Sequence, residues 1–123
     1  MGLTTYFFDT YAFLEIVKGS KEYEEYLDST IITTKLNLLE LHYILLKERG
    51  IVVADAAYNF FCEYTIDVTD NAIRESSKFR YKHKEKNFSY IDCIGYIIAR
   101  MHNIPFLTGD KAFKGMEGVE FVR

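Results

Sequence analysis

Leu3-Thr4-Thr5-Tyr6-Phe7-Phe8-Asp9 is a short β-prone run that ends on a carboxylate, and Ala12 to Val17 turns helical directly after it, before the break at Lys18-Gly19-Ser20. This is the first half of a β-α unit. A second follows: Ile31 to Thr34 is β-branched and short, and Leu36 to Arg49 carries a long helical pattern closed by Gly50. Between the two units, Ser20 is placed to cap a surface helix running through Leu27. Further along, Asp55 to Cys62 reads as a helix, Tyr64 to Val68 as an extended piece, and Asp70 as the cap of a helix running into the 80s. Ser89 opens a strongly apolar helix that ends near His102-Asn103, ahead of a buried strand at Ile104 to Leu107; Gly118 to Val122 supplies a last strand. Short strands alternating with helices predict an α/β fold of three layers, α/β/α, around a short, mostly parallel central sheet. Such sheets place ligands at the carboxyl ends of their strands.

The bulk properties fit that architecture. The chain has 123 residues, about half of them apolar, which suits a single domain over residues 1–123 with one substantial core. Proline is nearly absent, and neither a repeat nor a low-complexity segment interrupts the pattern. A formal charge of −3 makes the molecule as a whole no electrostatic magnet for nucleic acid, so a nucleic-acid surface would have to be a local patch. Cys62 and Cys93 lie in apolar settings without metal-binding spacing, and are expected as reduced core residues suited to the cytoplasm. No apolar run approaches the roughly 20 residues needed to span a bilayer, and the start does not resemble a secretory leader. Met1-Gly2 invites an acylation reading, but Tyr6 stands where that motif needs Ser or Thr.

Four carboxylates stand out. Asp9 and Asp110 sit at strand-to-helix junctions, where an ordinary helix cap or turn would also explain them. Gly109 before Asp110 gives the backbone freedom to turn sharply. Glu40 interrupts Leu36-Asn37-Leu38-Leu39-Glu40-Leu41 and is expected near a buried edge, sharing a helix face with Asn37 and Tyr43. Asp92 lies among Tyr90, Ile91, Cys93 and Ile94; a first-turn carboxylate favoured by the helix dipole is its plainer explanation. No lysine or arginine stands four residues on from Asp92 or Glu40, where Tyr96 and Ile44 stand instead, so local ion pairing accounts for neither. Gathered in one pocket, four carboxylates would repel unless a cation joined them. All-oxygen donors favour Mg2+ or Mn2+ over zinc, and His42, His83 and His102 form no competing cluster.

Taken together, Phe7-Phe8-Asp9-Thr10, Leu38-Leu39-Glu40-Leu41, Ser89-Tyr90-Ile91-Asp92-Cys93 and Leu107-Thr108-Gly109-Asp110-Lys111-Ala112-Phe113 resemble the PIN domain in order and approximate spacing. The resemblance implies a metal-dependent ribonuclease in which Asp9, Glu40, Asp92 and Asp110 are both the catalytic and the metal-binding acids. It implies hydrolysis of RNA by water, leaving 5′-phosphate and 3′-hydroxyl ends. Thr108 resembles the hydroxyl residue that accompanies the last acid, and Thr10 and Asn37 are candidate supporting donors that would hold carboxylates in place. Small chains of this kind are often toxins of VapBC-type toxin-antitoxin pairs, which dimerise and are silenced by an antitoxin protein.

One basic run, Lys78-Phe79-Arg80-Tyr81-Lys82-His83-Lys84-Glu85-Lys86, interleaves cations with aromatics just ahead of Asp92. Lys78, Arg80, Lys82, Lys84 and Lys86 are the candidate RNA-binding residues, although a solvated helix end would carry the same charges. Two other functions compete. A catalytically silent PIN-like module could bind RNA or protein, but would have little reason to keep four unneutralised acids. A phosphatase of the haloacid-dehalogenase type would share the strand-ending Asp9, yet Tyr11 stands where its second Asp belongs.

Overall fold

Phe7 and Phe8 are adjacent in the first strand and fully buried on opposite faces of one sheet, which requires a layer of helices on each side. In the computed structural model, which describes residues 3–123, that strand is β1 (Thr5–Phe8). Met1-Gly2 and its acylation reading lie outside the described residues. The other strands are β2 (Thr30–Ile32), β3 (Phe106–Thr108) and β4 (Val119–Phe121). Their order is β2-β1-β3-β4, and all three pairings are parallel.

Helices α1 (Thr10–Lys18), α3 (Lys35–Arg49) and α4 (Ile51–Phe61) cover one face, where Phe8, Phe13, Leu38, Leu41, Leu45, Phe61 and Leu107 share a cluster. On the opposite face α5 (Asp70–Lys82) and α6 (Tyr90–Met101) enclose Phe7, Ala72, Cys93, Tyr96, Ile98, Phe106 and Phe113. Each buried aromatic contributes about 1.5–3 kcal/mol, so the two sides hold the sheet as a filled sandwich. Gly95 lets α6 lie close against the sheet, because a Cβ there would stand 2.9 Å from the Phe7 ring and 3.1 Å from that of Phe106. Both cysteines are free, with Cys93 buried and Cys62 half-buried. No helix among the described residues is long and apolar enough to cross a membrane.

Several boundaries differ from the sequence reading. The helix expected from Ser20 through Leu27 is a four-residue α2 (Lys21–Glu24) followed by a 3-10 turn at Glu25–Asp28, and the Ser20 hydroxyl donates to Glu15 instead of capping. Thr69, not Asp70, caps α5, accepting the Ala72 amide at 3.1 Å. The extended piece at Tyr64 to Val68 is reduced to one parallel bridge between Thr65 and Thr33. Helix α4 begins at Ile51, four residues before Asp55, because Gly50 alone separates it from α3.

Candidate active site

Strand β1 delivers Asp9 to the carboxyl edge of the sheet, where it is 3 % exposed. Its amide donates to the Leu107 carbonyl of β3 at 3.1 Å, which locks the ends of the two central strands together. The carboxylate is held at both oxygens: Oδ1 accepts the Thr10 amide at 2.9 Å, and Oδ2 accepts the Thr108 hydroxyl at 2.7 Å. Asp9 is therefore the cap of α1, as the plainer reading expected, and it also faces a hollow. The same Thr108 Oγ accepts the Asp110 amide at 3.1 Å, while Asp110 Oδ1 takes the Ala112 amide and caps a short 3-10 turn at Lys111–Phe113.

Gly109 is required here for space and not for turning. Its φ is not positive, and a Cβ would collide with the Tyr11 ring and the Val122 carbonyl. Asp92 is the third residue of α6 and forms a reciprocal box with Ser89: the Ser89 amide donates to Asp92 Oδ2 at 2.9 Å, and the Asp92 amide to Ser89 Oγ at 3.0 Å. Glu40 comes from the middle of α3 and is half-buried. Of the residues expected on its face, Asn37 is fully buried, whereas Tyr43 is mostly exposed.

These four acids, drawn from α3, α6 and the ends of β1 and β3, line a single hollow of about 290 Å³ together with Thr10, Tyr11, Leu14, Ile44 and Ser89. Their charges act on one another. Burial pushes the Asp9 carboxyl up to about 7, against the hydrogen bonds from Thr108 and Thr10, and the negative charges of Asp92 and Glu40 add to the rise. Asp92 is raised as well, by burial first and then by Glu40 and Asp110, with Ser89 opposing. None of the four is in an ion pair: those among the described residues are Lys18–Glu15, His42–Asp55, Lys78–Glu75 and Arg100–Glu117.

The donor chemistry fits a hard divalent cation, since every ligating atom on offer is a carboxylate or hydroxyl oxygen. The acids ring the hollow without closing on a point: among the described residues, no three His, Cys, Asp or Glu side chains form a ready-made coordination group. That spacing suits an ion such as Mg2+, which keeps several waters and binds proteins through one or two carboxylates.

The expected supporting residues divide. Thr108 touches an acid directly. Thr10 and Asn37 instead bond each other at 3.3 Å, and Asn37 is fixed further by Thr34 at 2.7 Å, so their side chains join the starts of α1 and α3 and hold the acids only through the backbone. Tyr11, Leu14, Ile44 and Ser89 were not singled out for the hollow by the sequence reading. Ile44 and Leu14 follow from helical spacing, one turn beyond Glu40 and Thr10. The basic run forms the end of α5 and a 3-10 turn at Lys84–Lys86, and none of its residues lines the acidic hollow. Lys78 pairs with Glu75, Lys86 donates to the Ala112 carbonyl at 3.3 Å, and Arg80 Nε donates to the Phe88 carbonyl at 2.9 Å.

Residues 6–119 match the family profile described as the PIN domain. Comparison with curated protein sequences finds no match. Among solved structures, VapC20 of Mycobacterium tuberculosis, described as a sarcin-ricin loop cleaving toxin, superposes with a TM-score of 0.82 at 20 % identity, covering 96 % of this chain and 98 % of that one. DNA-bound VapBC from Salmonella typhimurium gives 0.75 at 16 % identity, with 98 % of each chain covered. VapBC2 from Rickettsia felis, bound to a promoter DNA fragment, gives 0.74 at 18 % identity, covering 97 % of this chain and 98 % of that one. At such identities the likeness is one of fold.

Proposed function

The chain belongs to the PIN domain family, and from that premise we propose that it is a Mg2+- or Mn2+-dependent ribonuclease, the toxin of a VapBC-type toxin-antitoxin pair. The observation that carries this reading is the convergence of Asp9, Glu40, Asp92 and Asp110 on one hollow, none of them in an ion pair among the described residues. An arrangement so unfavourable by itself has a reason to exist if a cation occupies it.

Asp9, Glu40, Asp92 and Asp110 would hold the ion. When bound, such an ion acidifies a water and offsets the charge that builds on a phosphodiester in the transition state. The chain's own residues do the positioning. Thr108 and the Thr10 amide fix the plane of the Asp9 carboxylate, and Ser89 fixes Asp92. The Thr108 hydroxyl ties Asp110 to the same frame. Leu14 and Ile44 supply an apolar wall that keeps bulk water off one side of the hollow and strengthens electrostatic interactions within it. Burial, added to by the charges of Asp92 and Glu40, favours a proton or a cation at Asp9.

The toxin reading has support of its own. Structural neighbours include VapC and VapBC proteins, and the outer surfaces of α3 and α4 expose Leu39, Tyr43, Leu46, Ile51, Val52 and Phe60. An apolar surface of that kind suits an antitoxin or a second copy in a homodimer. The free Cys62 and Cys93 suit a reducing compartment, and the cytoplasm is the proposed one. The test is a cleavage assay on mixed single-stranded RNA with Mn2+, run beside Asp92→Asn. Asn keeps an oxygen to accept the Ser89 amide while removing the charge, so metal-dependent cutting is expected to fall at least 100-fold with the fold intact. Undiminished cutting by Asp92→Asn would overturn the assignment.

A further inference from the structure

Beside the acidic hollow lies a second one of opposite chemistry. Ser77, Arg80, Tyr81, Lys84 and Tyr90 line a hollow of about 330 Å³, within the size range of roughly 300–1,000 Å³ typical of small-ligand sites. The two are joined through a single turn. Phe88 carries the carbonyl that accepts Arg80 Nε, Ser89 lines the acidic hollow, and Tyr90 lines the basic one. Arg80 is half-buried, and its guanidinium lies 4.3 Å from the centroid of the Tyr90 ring; Lys84 Nζ lies 4.9 Å from that of Tyr81. Both tyrosines are otherwise open, at 75 % and 69 % exposed.

We infer that this hollow is a subsite for an unpaired nucleotide flanking the scissile bond, with Tyr81 and Tyr90 as stacking surfaces for its base and Arg80 and Lys84 as partners for its phosphate. The inference rests on the ribonuclease reading and deepens it by naming the side chains that hold a nucleotide next to the cut. A base has two apolar faces and an anionic linkage beside them, and this site offers aromatic faces with a cation on each. In a duplex, stacking neighbours hide those faces. Cations here also answer a difficulty the acidic hollow creates, since four carboxylates repel the backbone they are to cut. Of the basic run, the hollow selects Arg80 and Lys84; Lys78 is spent on Glu75, Lys86 reaches the Ala112 carbonyl, and Lys82 is not among the lining residues. Arg80 is pinned by the Phe88 carbonyl before any ligand arrives, so little ordering entropy remains to be lost there.

The test measures equilibrium binding of a fluorescent single-stranded oligoribonucleotide to the intact protein in EDTA, where cutting does not intervene. Tyr81→Ala/Tyr90→Ala is expected to weaken binding by tenfold or more, and Tyr90→Phe to leave it within twofold, because the ring and not the hydroxyl stacks. Lys84→Gln should lower the slope of log affinity against log salt by about 0.7, while the tyrosine variants leave that slope unchanged. The same RNA as a duplex should bind the wild type more weakly and be indifferent to the tyrosines. Three results would overturn the subsite: wild-type binding that survives Tyr81→Ala/Tyr90→Ala, no measurable binding by the wild type, or poly-glutamate depending on the two tyrosines where RNA does not, which would assign the hollow to an acidic protein partner. Metal-dependent cleavage of RNA by the wild type, assayed separately, tells failure of this subsite from failure of the ribonuclease reading.

Discussion

The Thr108 hydroxyl donates to Asp9 Oδ2 at 2.7 Å across 99 residues of sequence, and the same oxygen accepts the amide of Asp110 at 3.1 Å. One buried hydroxyl thus orients the acids at the ends of both central strands. It also opposes the upward push that burial exerts on Asp9.

Thr108→Val keeps the shape and removes the bridge. It strands the Asp110 amide and one Asp9 oxygen, so unfolding free energy is expected to fall by about 1–3 kcal/mol and divalent-metal affinity by about 10- to 100-fold. Thr108→Ser, which restores the hydroxyl, should recover most of both in urea titrations and metal-binding isotherms.

Asp9 gives the metal-free protein a characteristic pH response. Its carboxyl titrates near 3.8 when free of the fold and at about 7 within it, so the folded state holds an extra proton between those values. The stability linked to that proton is fully present below about pH 4 and is lost as pH rises through 7. In EDTA, the stability of the wild type relative to Asp9→Asn should therefore fall across that window, by an amount on the order of a few kcal/mol, and level off above it. A difference that stays flat from pH 4 to 8 would show that Asp9 is not the buried, crowded group described.

Two glycines separate stability from chemistry. Gly95→Ala forces its Cβ to 2.9 Å from the fully buried Phe7 ring, so a loss of about 1–3 kcal/mol is expected with near-normal cleavage at low temperature. Gly109→Ala collides with Tyr11, which lines the acidic hollow, and with the Val122 carbonyl, beside Asp110. Cleavage there should fall at least tenfold even where the variant is fully folded by circular dichroism.

The sequence made the layers readable because Phe7-Phe8 and Phe106-Leu107 are apolar on both faces, the mark of a doubly covered parallel strand. Strand β3 nonetheless starts two residues later than Ile104: Phe7 pairs with Phe106, and Pro105, whose carbonyl accepts the Phe7 amide at 2.9 Å, has no amide of its own to extend the ladder. The start of α4 is hidden because Ile51-Val52-Val53-Ala54 is apolar without helical periodicity, although in the fold Ile51 and Val52 are exposed and Ala54 is buried. All four acids were legible as misfits of composition, but their convergence was not, because it depends on how distant segments pack. Nor could the sequence show that cap and site are one role: Asp9, Asp92 and Asp110 each cap a helix or turn with the same carboxylate that faces the hollow. Nor does the sequence carry the reason for Gly109, because crowding by Tyr11 and Val122 is a tertiary fact.

Four acids dispersed along the chain are proposed to make one cation site. Thermal unfolding with and without millimolar Mg2+ or Mn2+ tests it most directly, on the wild type and on Asp9→Asn/Asp92→Asn, because an ion that binds the native state alone raises its melting temperature. A rise of several degrees in the wild type and little or none in the double variant is the expected result. Equal shifts in the two proteins would contradict the site.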